Sequence, residues 1–272
     1  MEVRAAMFDA RSAHSDVASS DDDTTSLQAE IGTAISEPEE AAREVTASLP
    51  IKTQLKFDPA YTFPHGEQRY IAELKFEPTL PYHGFFIPEL DVDSFWSVAR
   101  LELSAQSKQK GQTVTSGLGD LTLTDLVARG FRPMRVGFGF ATVFPMATST
   151  NLGAEKWQLG PAVAFQIEGV PHLKLAALVE NFYSIAGSNQ SPALAYVAVQ
   201  PFVTLHLPGA CFVSTDATMD FYWKGGKTNV PLDLGFGHAF GPHFVGALQG
   251  WYTVAGEHEG DVRARAVLSF LP

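Results

Sequence analysis

Cysteine is nearly absent from this sequence. Cys211 stands alone, so no internal disulfide can form, and neither a disulfide scaffold nor a cysteine-rich zinc site is available. Charge is sparse too: Asp, Glu, Lys and Arg make up 18% of the chain, against roughly 25% in ordinary soluble domains. Basic residues are the scarcer sign, 19 against 30 acidic, and the formal charge of −11 argues against a nucleic-acid partner, which needs basic patches. Long hydrophobic runs are missing, so no helix can cross a membrane. The opening stretch "MEVRAAMFDARSAHSDVASSDDD" lacks the apolar core of a secretory signal.

Catalytic signatures are missing as well. The chain has no GxSxG elbow, HExxH, CxxC or phosphate-cradling loop. His206 and His238 have no serine at a recognisable spacing, and His238 and His243 straddle a turn at Gly241-Pro242, a commonplace position. The expectation is a chain that is not an enzyme and has neither cofactor nor metal.

What is present is alternation. Residues 1–49 read as an acidic, low-complexity extension, with "SLQAEIGTAISEPEEAAREV" as a short helix broken near Pro38. From residue 50 to 272 the hydrophobic period is two. "RYIAELKFE" sets Tyr70, Ala72, Leu74 and Phe76 against Arg69, Glu73, Lys75 and Glu77. "DVRARAVLSF" sets Val262, Ala264, Ala266, Leu268 and Phe270 against Asp261, Arg263, Arg265 and Ser269. About twelve such segments occur, at 51–62, 67–80, 94–104, 117–128, 133–145, 156–168, 173–185, 194–207, 211–223, 230–240, 243–254 and 261–271. No helix intervenes, so the connectivity is a meander and the sheet antiparallel. From the third segment on, long connections ("AQSKQKGQTVTS", "MATSTNLGAE", "AGSNQSPA") alternate with short ones ("RGFRP", "GVPH", "PGA", "GP"). The first two connections do not follow that rule.

Two architectures produce this alternation: a soluble ligand-binding sandwich, wet on its outer faces, and a membrane barrel, apolar outside and polar within. Three features favour lipid. Many segments reach the roughly 9–11 residues that a tilted span requires. Trp96, Trp157, Trp223, Trp251, Tyr82, Tyr222 and Tyr252 fall mostly near segment ends, where membrane barrels carry aromatic girdles. The strand number is even, and the last strand ends on an outward Phe270, as a closed barrel without edges requires. The expected fold is all-β: one antiparallel up-and-down transmembrane barrel of about twelve strands, partnered by a lipid bilayer.

One stretch poses a question of its own. "RVGFGFATVFP" (135–145) carries Val136, Phe138, Phe140 and Phe144 on one face and Gly137, Gly139 and Ala141 on the other. Inward glycines, here and at Gly235 and Gly237, permit either tight coiling of a narrow barrel or close approach of something inside it, the N-terminal extension among the candidates. The lumen-lining candidates are Arg69, Glu73, Lys75, Arg100, Glu102, Asp120, Arg135, Glu180, Asp216, Asp220, Asp233, Arg263 and Arg265. Charges of both signs there can pair across strands or line a wet channel, and the acidic Asp216, Asp220 and Asp233 suit cationic or hydroxylated solutes. A barrel of this size favours a narrow or plugged lumen.

"SGLGDL" (116–121), "LGAEKWQLGP" (152–161), "QPF" (200–202) and "VPLDLGFG" (230–237), in that order, resemble the motifs of the phenol-degradation meta-pathway family of bacterial outer-membrane proteins, often described as transporters. The resemblance spans about residues 50–272. It implies a barrel in the outer membrane of a Gram-negative bacterium that moves small molecules, aromatic ones included. The alternatives are a sealed structural or adhesion barrel and the soluble sandwich.

Overall fold

A computed structural model describes residues 36–65, 68–82, 95–131, 133–223 and 227–272; the side chains of Gln68, Arg69 and Glu168 lie outside the described set. Its strands are β1 (Gln54–Phe63), β2 (Gln68–Tyr82), β3 (Phe95–Lys110), β4 (Thr113–Phe131), β5 (Met134–Phe144), β6 (Lys156–Val170), β7 (Leu173–Gly187), β8 (Ala195–Leu207), β9 (Cys211–Thr215), β10 (Met219–Tyr222), β11 (Thr228–Ala239), β12 (Phe244–Gly256) and β13 (Val262–Phe270). A single described helix, α1 (Glu37–Val45), precedes them. Every sequential pair from β1 to β8 is antiparallel, and β1 closes the circle on β13, with Leu55 opposite Phe270 and Phe63 opposite Val262. Both β9 and β10 lie between β8 and β11, as two halves of one broken strand, so the barrel has twelve staves.

Closure satisfies each backbone polar group within the wall, which a lipid environment demands. The apolar parity faces outward throughout: Leu248 is 71% exposed, Leu234 66% and Phe138 61%. In water, such a continuous apolar belt would be a severe liability; against hydrocarbon it is the required surface. Short turns join β4–β5, β6–β7, β8–β9 and β11–β12 at the rim where β1 begins and β13 ends; as outer-membrane barrels keep most of their short turns on the periplasmic side, that rim is called periplasmic below. The β2–β3 connection, residues 83–94, which broke the loop rule in the sequence, lies outside the described residues.

Three expectations change. "AQSKQKGQTVTS" is not a loop: its residues pair as the ends of β3 and β4, turning at Gly111 (φ +59°) and Gln112. The segment reads as a loop because both its faces are polar, as suits a hairpin standing clear of the bilayer. The strand expected at 211–223 is interrupted at 216–218, where Ala217 turns inward and is buried. Pro38 does not break a helix; it sits in the first turn of α1, where a missing N–H costs nothing. Ser36 N–H donates to Glu39 Oε2 (3.3 Å) to complete the helix start. Residues 1–35, most of the predicted extension, lie outside the described set.

Candidate functional site

The inside of the barrel is divided. On the β4–β8 side the inward residues are small or apolar: Leu126, Ala128, Ala141, Val143, Ala162, Ala164, Leu178, Phe182 and Ala198. Their small size leaves a trough, and Leu49, fully buried, fills it. Gly137 lies directly beneath: a Cβ there would stand 2.9 Å from Leu49 Cδ2. This answers the question raised by residues 135–145. Gly139 is a different case, since its Cβ would collide with the Asp125 carbonyl of the adjacent strand, so it serves tight coiling of the wall.

The chain around Leu49 is tied to the wall by polar groups. Gln166, an inward residue of β6 with no exposed surface, accepts hydrogen bonds from Ser48 N–H (3.0 Å) and Leu49 N–H (3.4 Å). Arg135 Nη1 donates to Leu49 O (3.2 Å), and Lys174 Nζ donates to Arg43 O. Gln54 Nε2 donates to Glu44 O (2.7 Å). Glu44 Oε1 accepts Ile51 N–H (2.5 Å) and Lys52 N–H (2.7 Å), which folds the helix end back onto the start of β1. Helix α1 packs its Ala41, Ala42 and Val45 on Ala210, Phe212, Ala239, Val245 and Leu271 at the periplasmic rim. Outside the strands, Lys52 Nζ bonds Glu40 Oε1 at 2.6 Å; that bond holds the Glu40 carboxyl below its usual range and raises the Lys52 ammonium above its own.

The opposite side of the lumen, formed by β13 and β1–β3, is charged. Arg100 holds Glu77 through Nε (3.1 Å) and Nη2 (3.1 Å), and Glu102 through Nη2 (2.5 Å). Lys75 meets Glu102 at 3.1 Å, and Arg263 meets Glu73 at 2.7 Å while lying over the Trp251 ring. Arg265 joins Asp216 (2.6 Å), Asp58 (3.5 Å) and Gln249. Some of these contacts cross the lumen. Arg100 Nη1 on β3 donates to Gln200 Oε1 on β8 (3.1 Å), nearly opposite in the circle. Thr124 Oγ1 on β4 donates to Glu180 Oε1 on β7 (2.5 Å). Residues 43–54 thus lie against the inner wall in one half of the lumen, and a tier of side-chain contacts crosses it above them.

Most of the sequence candidates meet in this tier: Glu73, Lys75, Arg100, Glu102, Glu180, Asp216, Arg263 and Arg265. Arg135 holds the plugging segment instead. Asp233 caps the strand break, accepting from Thr215 Oγ1 (2.5 Å), Asp216 N–H (3.0 Å) and Ala217 N–H (3.0 Å). Asp120 staples the β5–β6 loop at the far rim through Ala147 N–H (3.1 Å) and Ala154 N–H (2.7 Å), so it does not join the lumen cluster. Asp220 faces inward on β10 beside Tyr222, apart from the tier. The Arg69 side chain lies outside the described set. Two tryptophans assigned to the girdles turn inward: Trp96 packs against the Leu49 cluster, and Trp251 lies between Arg263 and Arg265.

Sequence reasoning missed Ser48, Leu49 and Gln166 as a docking set, because the contact spans 117 residues or more and none of the three belongs to a motif. It also missed that Cys211 and His238 meet on adjacent strands, Sγ to Nδ1 at 3.3 Å. His243 Nδ1 lies 2.7 Å from Leu271 O, and no metal-holding cluster occurs among the described residues.

No protein-family model matches the chain, and no curated protein matches it. Solved structures do. The COG4313 outer membrane channel from Pseudomonas putida F1 superposes with a TM-score of 0.59 at 12% identity, covering 83% of this chain and 97% of that one. The KdgM porin gives a TM-score of 0.50 at 6% identity, covering 80% and 98%. Outer membrane phospholipase A from Escherichia coli gives 0.48 at 10%, covering 86% and 98%. One expectation is corrected: an enzyme stands among the matched structures, and motifs missing from a sequence do not license the conclusion that the chain is not one. At these identities the likeness is one of fold. Together with the closed sheet and its apolar exterior, it makes this chain a transmembrane β-barrel with the fold seen in outer-membrane channels, embedded in the lipid bilayer of the bacterial outer membrane.

Proposed function

We propose that the barrel is a passive conduit for small solutes, held shut in the state seen here by the segment before β1. The observation that carries this reading is the origin of the closure. The lumen is stopped by a stretch outside the sheet, docked through a few side chains, while the wall closes completely without it. A sealed structural barrel would more simply fill its core from the wall, as small barrels do. The division near residue 50, plug before and wall after, belongs to this proposal. So does a solute-contacting role for Arg100, Glu102, Glu180, Asp216 and Arg265 once the plug has withdrawn.

The finer reading, that aromatic molecules are among the solutes, rests on the resemblance to the phenol-degradation meta-pathway family and on an inward ladder of rings. Phe182, Tyr196 and Tyr222 stack in sequence at 5.1 Å centroid spacing on β7, β8 and β10. Offset stacking offers a planar ring a series of equivalent partners. Swelling of liposomes holding the full chain tests the proposal. Uptake of small aromatic and hydroxylated solutes, falling off with solute size, is expected. No uptake by the full chain or by a plug-loosened variant would leave a sealed structural barrel.

A further inference from the structure

On the extracellular side of the plug, register sets two rows of side chains on the inner wall of β7, β8 and β10. The upper row, nearer the extracellular rim, is Phe182, Tyr196 and Tyr222, with Tyr196 opposite each of the other two. The row beneath it is Glu180, Ala198 and Asp220, with Ala198 opposite both acids. We propose that the two rows form a binding site for an organic ammonium ion that carries an aromatic ring.

The spacing suits that class. Neighbouring strands lie about 4.8 Å apart, so a cation over Ala198 sits midway between Glu180 and Asp220, whose backbones are roughly 10 Å apart. Ala198 is too small to fill that interval itself. A primary ammonium has three N–H donors and can serve both carboxylates at once. The ring row stands two residues higher, about 6.6 Å along the strands. Tyr196 is then close to the cation–π range of about 6 Å, and a spacer of two or three carbons carries the ligand's own ring to the level of the stacked row.

The charges agree. Each cation of the tier (Lys56, Lys75, Arg100, Arg263 and Arg265) already meets a carboxylate other than these two. Glu180 accepts from Thr124 Oγ1, and neither it nor Asp220 makes an ion pair among the described residues. Asn229, opposite Asp220 on β11, adds a buried Oδ1 with no hydrogen-bond partner among the described residues, an acceptor for a further N–H. A solute bearing a carboxylate would meet repulsion from both acids. This inference names the solute class of the proposed conduit, and rests on the lumen being open to solutes.

Calorimetry on the full chain in a non-ionic detergent tests the site without any conduction measurement. Phenethylammonium is expected to bind saturably, one per chain. It should bind at least tenfold more tightly than phenethyl alcohol, which keeps the ring and lacks the charge, and than butylammonium, which keeps the charge and lacks the ring. Glu180→Gln and Asp220→Asn should each weaken phenethylammonium at least fivefold and leave the alcohol unaffected. Tyr196→Leu should weaken both. Glu259→Gln, which removes an exposed carboxylate from the β12–β13 turn, should change neither. Heat-modifiable migration in gels reports that each variant is folded. Absence of saturable binding, equal affinity for the alcohol or for butylammonium, or unchanged affinity in either carboxylate variant would each overturn the assignment. Failure of solute uptake with binding retained would count against the conduit and leave the site standing.

Discussion

Truncating Leu49 to alanine is the sharpest perturbation of the plug. Leu49 has no exposed surface, and its neighbours come from five staves, β4 to β8, whose positions are fixed by the closed hydrogen-bonded wall. The trough cannot collapse around a smaller side chain, so a cost typical of rigid cores applies, about 2–5 kcal/mol for Leu→Ala. That cost falls on docking of the plug and spares the wall, because Leu49 lies before β1. At about 1.4 kcal/mol per factor of ten, the ratio of undocked to docked plug should rise between roughly 30-fold and a few thousand-fold. Single-channel recording in planar bilayers reads this as more frequent openings at unchanged unitary conductance. Heat-modifiable migration in gels should show an intact barrel. An unchanged opening frequency in a folded Leu49→Ala protein would refute the reasoning.

Gly137→Val attacks the same contact from the wall. Its added methyls meet Leu49 where even a Cβ would stand at 2.9 Å, so it should reproduce the Leu49→Ala openings with the plug sequence untouched. Arg265→Met leaves Asp58 and Asp216 without their shared cation, and a buried pair broken on one side costs about 3–5 kcal/mol, so the urea midpoint of unfolding should fall markedly. Leu248→Arg places a charge on the lipid face midway along β12, where about 2–4 kcal/mol of folding free energy should be lost; the same change should be far milder at the rim.

The parts of this molecule that were readable in its sequence are those set by period two. The outward phenylalanines of 135–144 and the two faces of 262–270 follow from alternation alone, and once lipid was preferred to a dry sandwich interior the wall followed. What was not readable depends on distant partners. The break at 216–218 is made by Asp233 on the next strand, through three hydrogen bonds that no local pattern announces. Trp96 stands near a strand end, as girdle residues do, and Trp251 near the end of its predicted segment though mid-strand in β12, but parity turns both inward, and parity outweighs position along the strand. Ser36, Pro38 and Glu39 are recognisable signals of a helix start, yet nothing in them places that helix inside a barrel. The inward glycines were the one local trace of the plug, and they divide between its contact at Gly137 and wall coiling at Gly139.

Locking the plug tests the central claim most directly. Ser48 and Gln166 meet where the segment before β1 lies on the wall, Oγ to Oε1 at 3.5 Å; a cysteine at 166 is two bonds shorter than the glutamine, so Ser48→Cys and Gln166→Cys, in a chain carrying Cys211→Ser, are to be joined by a short, reducible bis-methanethiosulfonate. Current through the crosslinked protein should vanish, and it should return on reduction. Equal current in both states would show that solutes, if they pass at all, do not pass where residues 36–53 lie.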